Sequence, residues 1–247
     1  MISFIIPNRG GTQLENVIEN IKDVYHDIEK EIVVIQQNDN DFFKKGQLYN
    51  IAIKHCLGDY IVLTDNDIIH FNKIDFLNVY SNNNNLPFLG FDEITQVTLT
   101  KRNYTVLKSE KRPYGYGACL FLSKKQFLSV NGFSNLYMCW GREDNEFALR
   151  LIGDNTSCMT PNIFRIKQKL GHISHKRRCN DNLHNTKLNI DVFNKRCYRD
   201  IMLDGYVQTT YNLIKEERCN DVVFLYVDNI NVASNYVYYD TYKKHYK

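Results

Sequence analysis

The chain is poor in the residues that mark the non-globular classes. Its 247 residues include only 4 prolines and no low-complexity linker, and with 43% hydrophobic residues a disordered or purely linking role is out. No stretch approaches the roughly 18 consecutive apolar residues of a transmembrane helix. The opening Met1-Ile2-Ser3-Phe4-Ile5-Ile6-Pro7 has no basic segment ahead of its apolar run and stops at a proline, so it reads as a first strand and not as a signal peptide. The 7 cysteines are odd in number and form no C-x-x-C pair. That argues against zinc ribbons and a complete disulfide framework, and for a reducing compartment. A net charge of +3 is too small an excess for a nucleic-acid binder. The expectation is therefore a soluble cytoplasmic protein with no transmembrane segment and no nucleic-acid partner.

What is present suffices for a large core: 43% of residues are hydrophobic. The first 70 residues alternate between strand and helix patterns. Ile2 to Ile6 is a short apolar run ended by Pro7-Asn8-Arg9-Gly10-Gly11, and Leu14, Val17, Ile18 and Ile21 then recur at helical spacing. Ile32 to Ile35 is a second strand; Leu48, Ile51, Ala52 and Cys56 mark a second helix, which Gly58 is expected to end. Tyr60 to Leu63 is a third strand that runs into Thr64-Asp65-Asn66-Asp67. Short apolar strands separated by helices predict an α/β fold with a parallel sheet covered on both faces. Strand-like runs near Phe88, Val97 and Val106 suggest added antiparallel pieces. Ser123 is placed to cap a helix over 124–130, and Glu143 to Ile152 predicts an amphipathic helix with Phe147, Leu151 and Ile152 on its apolar side. No linker or repeat divides the chain. One domain over 1–247 is expected, with a nucleotide half (1–112) and an acceptor half (113–247).

Three clusters carry chemistry. Asp65-Asn66-Asp67 follows a parallel strand, where open α/β sheets bind ligands, and in extended geometry its two carboxylates would share one face. Such a pair suits a hard divalent cation, Mn²⁺ or Mg²⁺, bridging diphosphate oxygens. Gly171-His172-Ile173-Ser174-His175 offers two imidazoles three residues apart, followed by Lys176-Arg177-Arg178, which would suit a loop folding over a diphosphate. Trp140-Gly141-Arg142-Glu143-Asp144-Asn145-Glu146 sets the single tryptophan beside acids entering a helix. The macrodipole favours acids there in any case. A sugar acceptor wants the same combination, however: an aromatic plate for the ring, carboxylates for its hydroxyls, and one carboxylate as general base.

In this order the clusters resemble the β-1,4-galactosyltransferase family of metal-dependent glycosyltransferases, over most of the chain. Ile6-Pro7-Asn8-Arg9 is similar to that family's I-P-F-R turn, and Phe43-Lys44-Lys45-Gly46-Gln47-Leu48-Tyr49-Asn50 to its F-N-R-A-K-L-x-N helix start. Asp65-Asn66-Asp67 stands where the family has D-V-D, and Trp140 to Asp144 where it has W-G-G-E-D. Gly117 to Phe133 and Met202-Leu203-Asp204-Gly205 are close as well. Around Gly171-His172 the chain also resembles the polypeptide N-acetylgalactosaminyltransferases, retaining enzymes with W-G-G-E-N where this chain has Asp144.

The resemblance implies the glycosyltransferase A fold, a Rossmann-like mixed sheet flanked by helices, and transfer of a hexose or N-acetylhexosamine from a UDP-sugar to a glycan, polysaccharide or glycoprotein hydroxyl. It implies Asp67, His172 and His175 as Mn²⁺ ligands and Asp144 as the base of an inverting reaction. Pro7, Arg9, Lys45, Asp65, Gly117 and Trp140 would bind the donor; Tyr116, Trp140 and Glu143 would bind the acceptor. The chain departs from the pattern at Asn8, in place of an aromatic, at Lys45, in place of an arginine, and at Arg142, in place of a second glycine. The competing readings are a retaining N-acetylgalactosaminyltransferase-like enzyme, a catalytically silent sugar- or nucleotide-binding domain, and a nucleotidyltransferase. The last lacks a glycine-rich triphosphate loop.

Overall fold

The computed structural model describes residues 1–11, 13–100, 103–111, 116–139, 141–153, 163–174, 189–190, 192–194 and 205–232. In chain order these form β1 (Ile2–Asn8), α1 (Leu14–Val24), β2 (Lys30–Gln37), α2 (Lys45–His55), β3 (Tyr60–Leu63), β4 (Ile68–His70) and α3 (Phe76–Asn82). There follow β5 (Phe88–Leu89), β6 (Glu93–Thr100), β7 (Asn103–Lys111), β8 (Leu120–Ser123), α4 (Lys124–Ser129) and α5 (Glu143–Leu151). The last elements are β9 (Phe164–Arg165), β10 (Lys169–Ile173), β11 (Thr209–Cys219) and β12 (Val222–Val232).

An eight-stranded sheet runs in the order β11-β12-β2-β1-β3-β8-β5-β9. Its centre, β12-β2-β1-β3, is parallel, while β8 runs antiparallel to both β3 and β5. The runs Phe4-Ile5-Ile6, Ile32 to Ile35 and Ile61-Val62-Leu63 are fully buried, as strands covered on both faces must be. Because β2 and β3 flank β1 on opposite sides, right-handed crossovers send α1 and α2 to opposite faces and open a crevice at the carboxyl ends of β1 and β3. Asn8 ends β1 at this crevice, and Asp65-Asn66-Asp67 follows β3 there.

A second sheet, β4-β10-β6-β7, carries His172 on β10 between β4 and β6. It is joined to α1 through the Asn20 side chain, which donates to the His70 carbonyl (3.0 Å) and accepts the His70 N–H (2.7 Å). Among the described residues no helix is long and apolar enough to cross a membrane.

Several sequence expectations change in detail. Gly58 does not end α2: the helix stops at His55, and Cys56 already has extended backbone. The glycine is needed because a Cβ there would lie 2.4 Å from Ser3 Oγ and 2.9 Å from the Ser3 nitrogen on β1. Ile152 lies past the end of α5 and is 37% exposed, whereas Phe147 is fully buried. The hairpin of β11 and β12 has no counterpart in the sequence reading. Most of β11 is exposed and polar, so it shows neither helical nor strand alternation, yet β12 pairs in parallel with β2. Ser123 caps α4 as expected, and Gln126 completes a capping box.

Candidate active site

The acids of α5 reach the crevice because the helix is pinned from behind. Arg150 donates from Nε to Glu146 Oε1 (2.5 Å) and from Nη2 to Glu146 Oε2 (2.8 Å), a buried bidentate pair, and also donates to the Val130 carbonyl. Asn50 of α2 holds the preceding turn. It donates to the Phe133 carbonyl and accepts the Phe133 N–H, each at 2.8 Å, and donates to Thr209 Oγ1 at 3.1 Å. Phe133 stacks on Phe147 of α5 with centroids 4.1 Å apart. These contacts set the first turn of α5 opposite the start of α2.

Lys45, the first residue of α2, bridges Asp65 after β3 and Glu143 of α5. Its Nζ lies 2.5 Å from Asp65 Oδ1 and 3.8 Å from Glu143 Oε1, with the side chains of Lys45 and Glu143 13% and 6% exposed. Burial works against the ammonium, but Asp65, Glu143 and Asp144 together hold its pKa well above the ordinary lysine value. Gly117 makes room for the bridge: a Cβ there would sit 2.5 Å from Lys45 Nζ. Its N–H donates to Asp144 Oδ2 at 3.4 Å, and Asp144 Oδ1 accepts the Asn145 N–H at 2.8 Å. Glu143 Oε2 accepts the Gly141 N–H at 3.1 Å. Burial, then the neighbouring Asp144 charge, raises the Glu143 carboxyl from 4.5 to about 7, Lys45 opposing.

The loop leading into α5 is strained. Cys139 (φ 59°), Gly141 (φ 109°) and Arg142 (φ 78°) all lie in the left-handed region, and Arg142 occupies the N-cap position without a side-chain cap bond. Its guanidinium lies 5.8 Å from the centre of the Phe193 ring. The backbone therefore takes at Arg142 the form that glycine adopts without cost, although the sequence supplies an arginine.

Asp65 and Asp67 do not share a face as extended geometry suggested, because residues 66–67 turn. Asp65 faces Lys45, while Asp67 Oδ2 lies 3.3 Å from His172 Nε2. The other imidazole nitrogen, Nδ1, lies 3.1 Å from Gln96 Oε1. An Nδ1–H donated to that amide oxygen turns the Nε2 lone pair towards the carboxylate. Two acceptors at this distance are held together by a cation, either a proton or a metal ion, and a carboxylate with an imidazole suits Mn²⁺.

Of the other expected donor residues, Pro7 lies in β1 and Arg9 follows it, on the same crevice edge. Tyr116 is 1% exposed, its ring 5.7 Å beneath the Arg165 guanidinium, so its ring is covered and not presented on an open surface. Trp140, His175 and Lys176-Arg177-Arg178 lie outside the described residues. Among the described residues no three His, Cys, Asp or Glu side chains form a metal-holding group. Sequence reasoning missed Gln96 and Asn66. Gln96 is 76 residues from the histidine it orients, and no local signal could have found it. Asn66, between two aspartates, bonds to Asn8 58 positions away and carries no local sign of it.

Residues 102–177 match a family model described as the N-terminal domain of galactosyltransferase. Among curated proteins, β-1,4-galactosyltransferase 1 of Bos taurus is 32% identical over 133 residues, 53% of this chain and 30% of that protein. The Mus musculus protein of the same name is 28% identical over 189 residues, 76% of this chain and 43% of that protein. The chain thus spans less than half the length of these relatives. Among solved structures, the catalytic domain of Drosophila β1,4-galactosyltransferase 7 in complex with xylobiose superposes with a TM-score of 0.61, at 18% identity, covering 95% of each chain. A mutant of that protein, solved with manganese, UDP-Gal and xylobiose, gives a TM-score of 0.60 at 18% identity. The mixed sheet and its flanking helices have the glycosyltransferase A fold.

Proposed function

We propose that the chain, similar to the β-1,4-galactosyltransferases, is a glycosyltransferase that moves a hexose or N-acetylhexosamine from a UDP-sugar to a glycan or glycoprotein hydroxyl with inversion, Asp144 acting as base. The observation that carries this reading is the Lys45 bridge. One largely covered ammonium joins Asp65, after the carboxyl end of β3, to Glu143 at the start of α5, so donor-side and acceptor-side acids meet at one point.

The donor diphosphate would lie in the crevice between β1 and the D-N-D turn, with Pro7 and Arg9 on its rim and Lys45 as a cation for its phosphates. Asp67 and His172 would hold Mn²⁺, or Mg²⁺ in its place, with His175 as a third ligand. The bound ion would supply charge stabilisation for the departing UDP. Gln96 orients the His172 ring for that role. Asp144, second residue of α5, accepts hydrogen bonds from the Gly117 and Asn145 N–H groups. It would take the proton of the acceptor hydroxyl as that oxygen attacks the anomeric carbon from the face opposite UDP. A base of this kind contributes about 10²–10⁴-fold. Glu143 and Trp140 would bind the acceptor, Trp140 also covering the donor.

A screen of UDP-sugars with Mn²⁺, reading UDP release and the anomeric configuration of the product, tests the proposal. Turnover that vanishes with EDTA and a β-linked product from an α-linked donor are expected. Full activity in EDTA would remove the metal site, and an α-linked product would favour the retaining alternative.

A further inference from the structure

The D-N-D turn has three anchors, of which two belong to its aspartates: Lys45 on Asp65, and His172 with the Ile173 N–H (2.8 Å to the Asp67 carbonyl) on Asp67. The third is Asn66. Its Nδ2 donates at 2.7 Å to Oδ1 of Asn8, the last residue of β1, 58 positions away. Asn8 is 3% exposed, and its bonding pattern is specific. Oδ1 accepts from both Asn66 and the Gly11 N–H (3.1 Å), while Nδ2 donates to Gln36 Oε1 at the end of β2 (2.5 Å). Gly11 keeps the space open, since a Cβ there would lie 2.6 Å from Asn66 Nδ2 and 3.3 Å from Asn8 Oδ1. One amide thus ties the carboxyl ends of β1 and β2 to the turn that carries both aspartates. The two residues that meet are also positions where the chain departs from the pattern it resembles: Asn8 for an aromatic and Asn66 for a valine.

We propose that Asn66, through its hydrogen bond to Asn8, is the positioning residue of the D-N-D turn, setting the divergence by which Asp65 faces the Lys45 side of the crevice and Asp67 faces His172. The inference rests on the proposed function for what the aspartates bind, but the clasp is measurable without any ligand. Asn66 touches no reacting atom. Its amide fixes the middle of the turn, between the Lys45 contact on Asp65 and the His172 and Ile173 N–H contacts on Asp67.

Two variants perturb the clasp from opposite sides. Asn66→Ala removes the donor, and Gly11→Ala pushes a methyl group into the bond while leaving Asn66 in place. Hydrogen exchange of the ligand-free protein should show the amides of residues 64–68 exchanging roughly tenfold faster in both variants, with the β2 amides unchanged and the denaturant midpoint lowered only modestly, as the loss of one hydrogen bond requires. Titration with Mn²⁺ and UDP, followed by the Mn²⁺ paramagnetic signal, should show a roughly three- to tenfold weaker affinity in both, the range of one neutral hydrogen bond. Unchanged exchange at 64–68 overturns the clasp. Faster exchange with unchanged Mn²⁺–UDP affinity overturns its positioning role. A wild-type protein that binds no UDP with Mn²⁺ overturns the proposed function and this inference with it.

Discussion

Glu143→Gln should make the protein more stable at alkaline pH while impairing its action on acceptor. The carboxyl is buried, 5% exposed, and raised from 4.5 to about 7 by burial and by Asp144. A group whose folded pKa lies above its unfolded value stabilises the fold fully below the unfolded pKa, and that stability is lost as pH rises through the folded pKa. Wild-type stability should therefore decline between about pH 4.5 and pH 7 and then level off. At 1.36 kcal/mol per unit, the shift costs about 3 kcal/mol at pH 8. Glutamine keeps an amide oxygen for the Gly141 N–H and carries no charge to desolvate, so the variant should regain much of that cost at pH 8 and little at pH 4.5. The regain is below the full figure because the glutamine amide also presents N–H groups towards Lys45, 3.8 Å from the present carboxylate oxygen. Urea unfolding of both proteins at pH 5 and pH 8 measures the difference. A variant no more stable than wild type at pH 8 would refute the reasoning. The expected loss of acceptor affinity in the same variant would identify Glu143 as a carboxylate retained for function at the expense of stability.

Asp144→Asn should leave UDP and Mn²⁺ binding intact and cut the transfer rate by two orders of magnitude or more, of the order of the general-base contribution; a folded variant with near-normal turnover would leave Asp144 as a helix-terminal acid only. Because Arg142 holds a positive φ, Arg142→Gly should be more stable than Arg142→Ala by about 1 kcal/mol in thermal or denaturant unfolding, the cost of a left-handed residue with a Cβ. Gly117→Ala should displace Lys45 from Asp65, since the added Cβ falls 2.5 Å from the ammonium, and a steady-state assay should show a raised donor KM with the fold retained.

The sequence by itself determined the elements whose causes are local. The buried β-branched runs of β1, β2 and β3, the Ser123–Gln126 capping box, the acids at the first turn of α5 and the D-N-D after a strand all follow from neighbours within a few residues. Only the tertiary structure decided how they meet. It put Lys45 between Asp65 and Glu143, Gln96 behind His172 and Asn66 on Asn8, pairs separated by 20 to 98 positions in which neither partner carries a local sign of the other. It also replaced the predicted shared face of Asp65 and Asp67 with a turn, moved the reason for Gly58 from a helix end to its closeness to Ser3, and seated β12 beside β2. Periodicity and capping are properties of one turn or one pleat. Parallel pairing, burial of a charge among carboxylates and the strain at Arg142 arise only once distant segments share the same space.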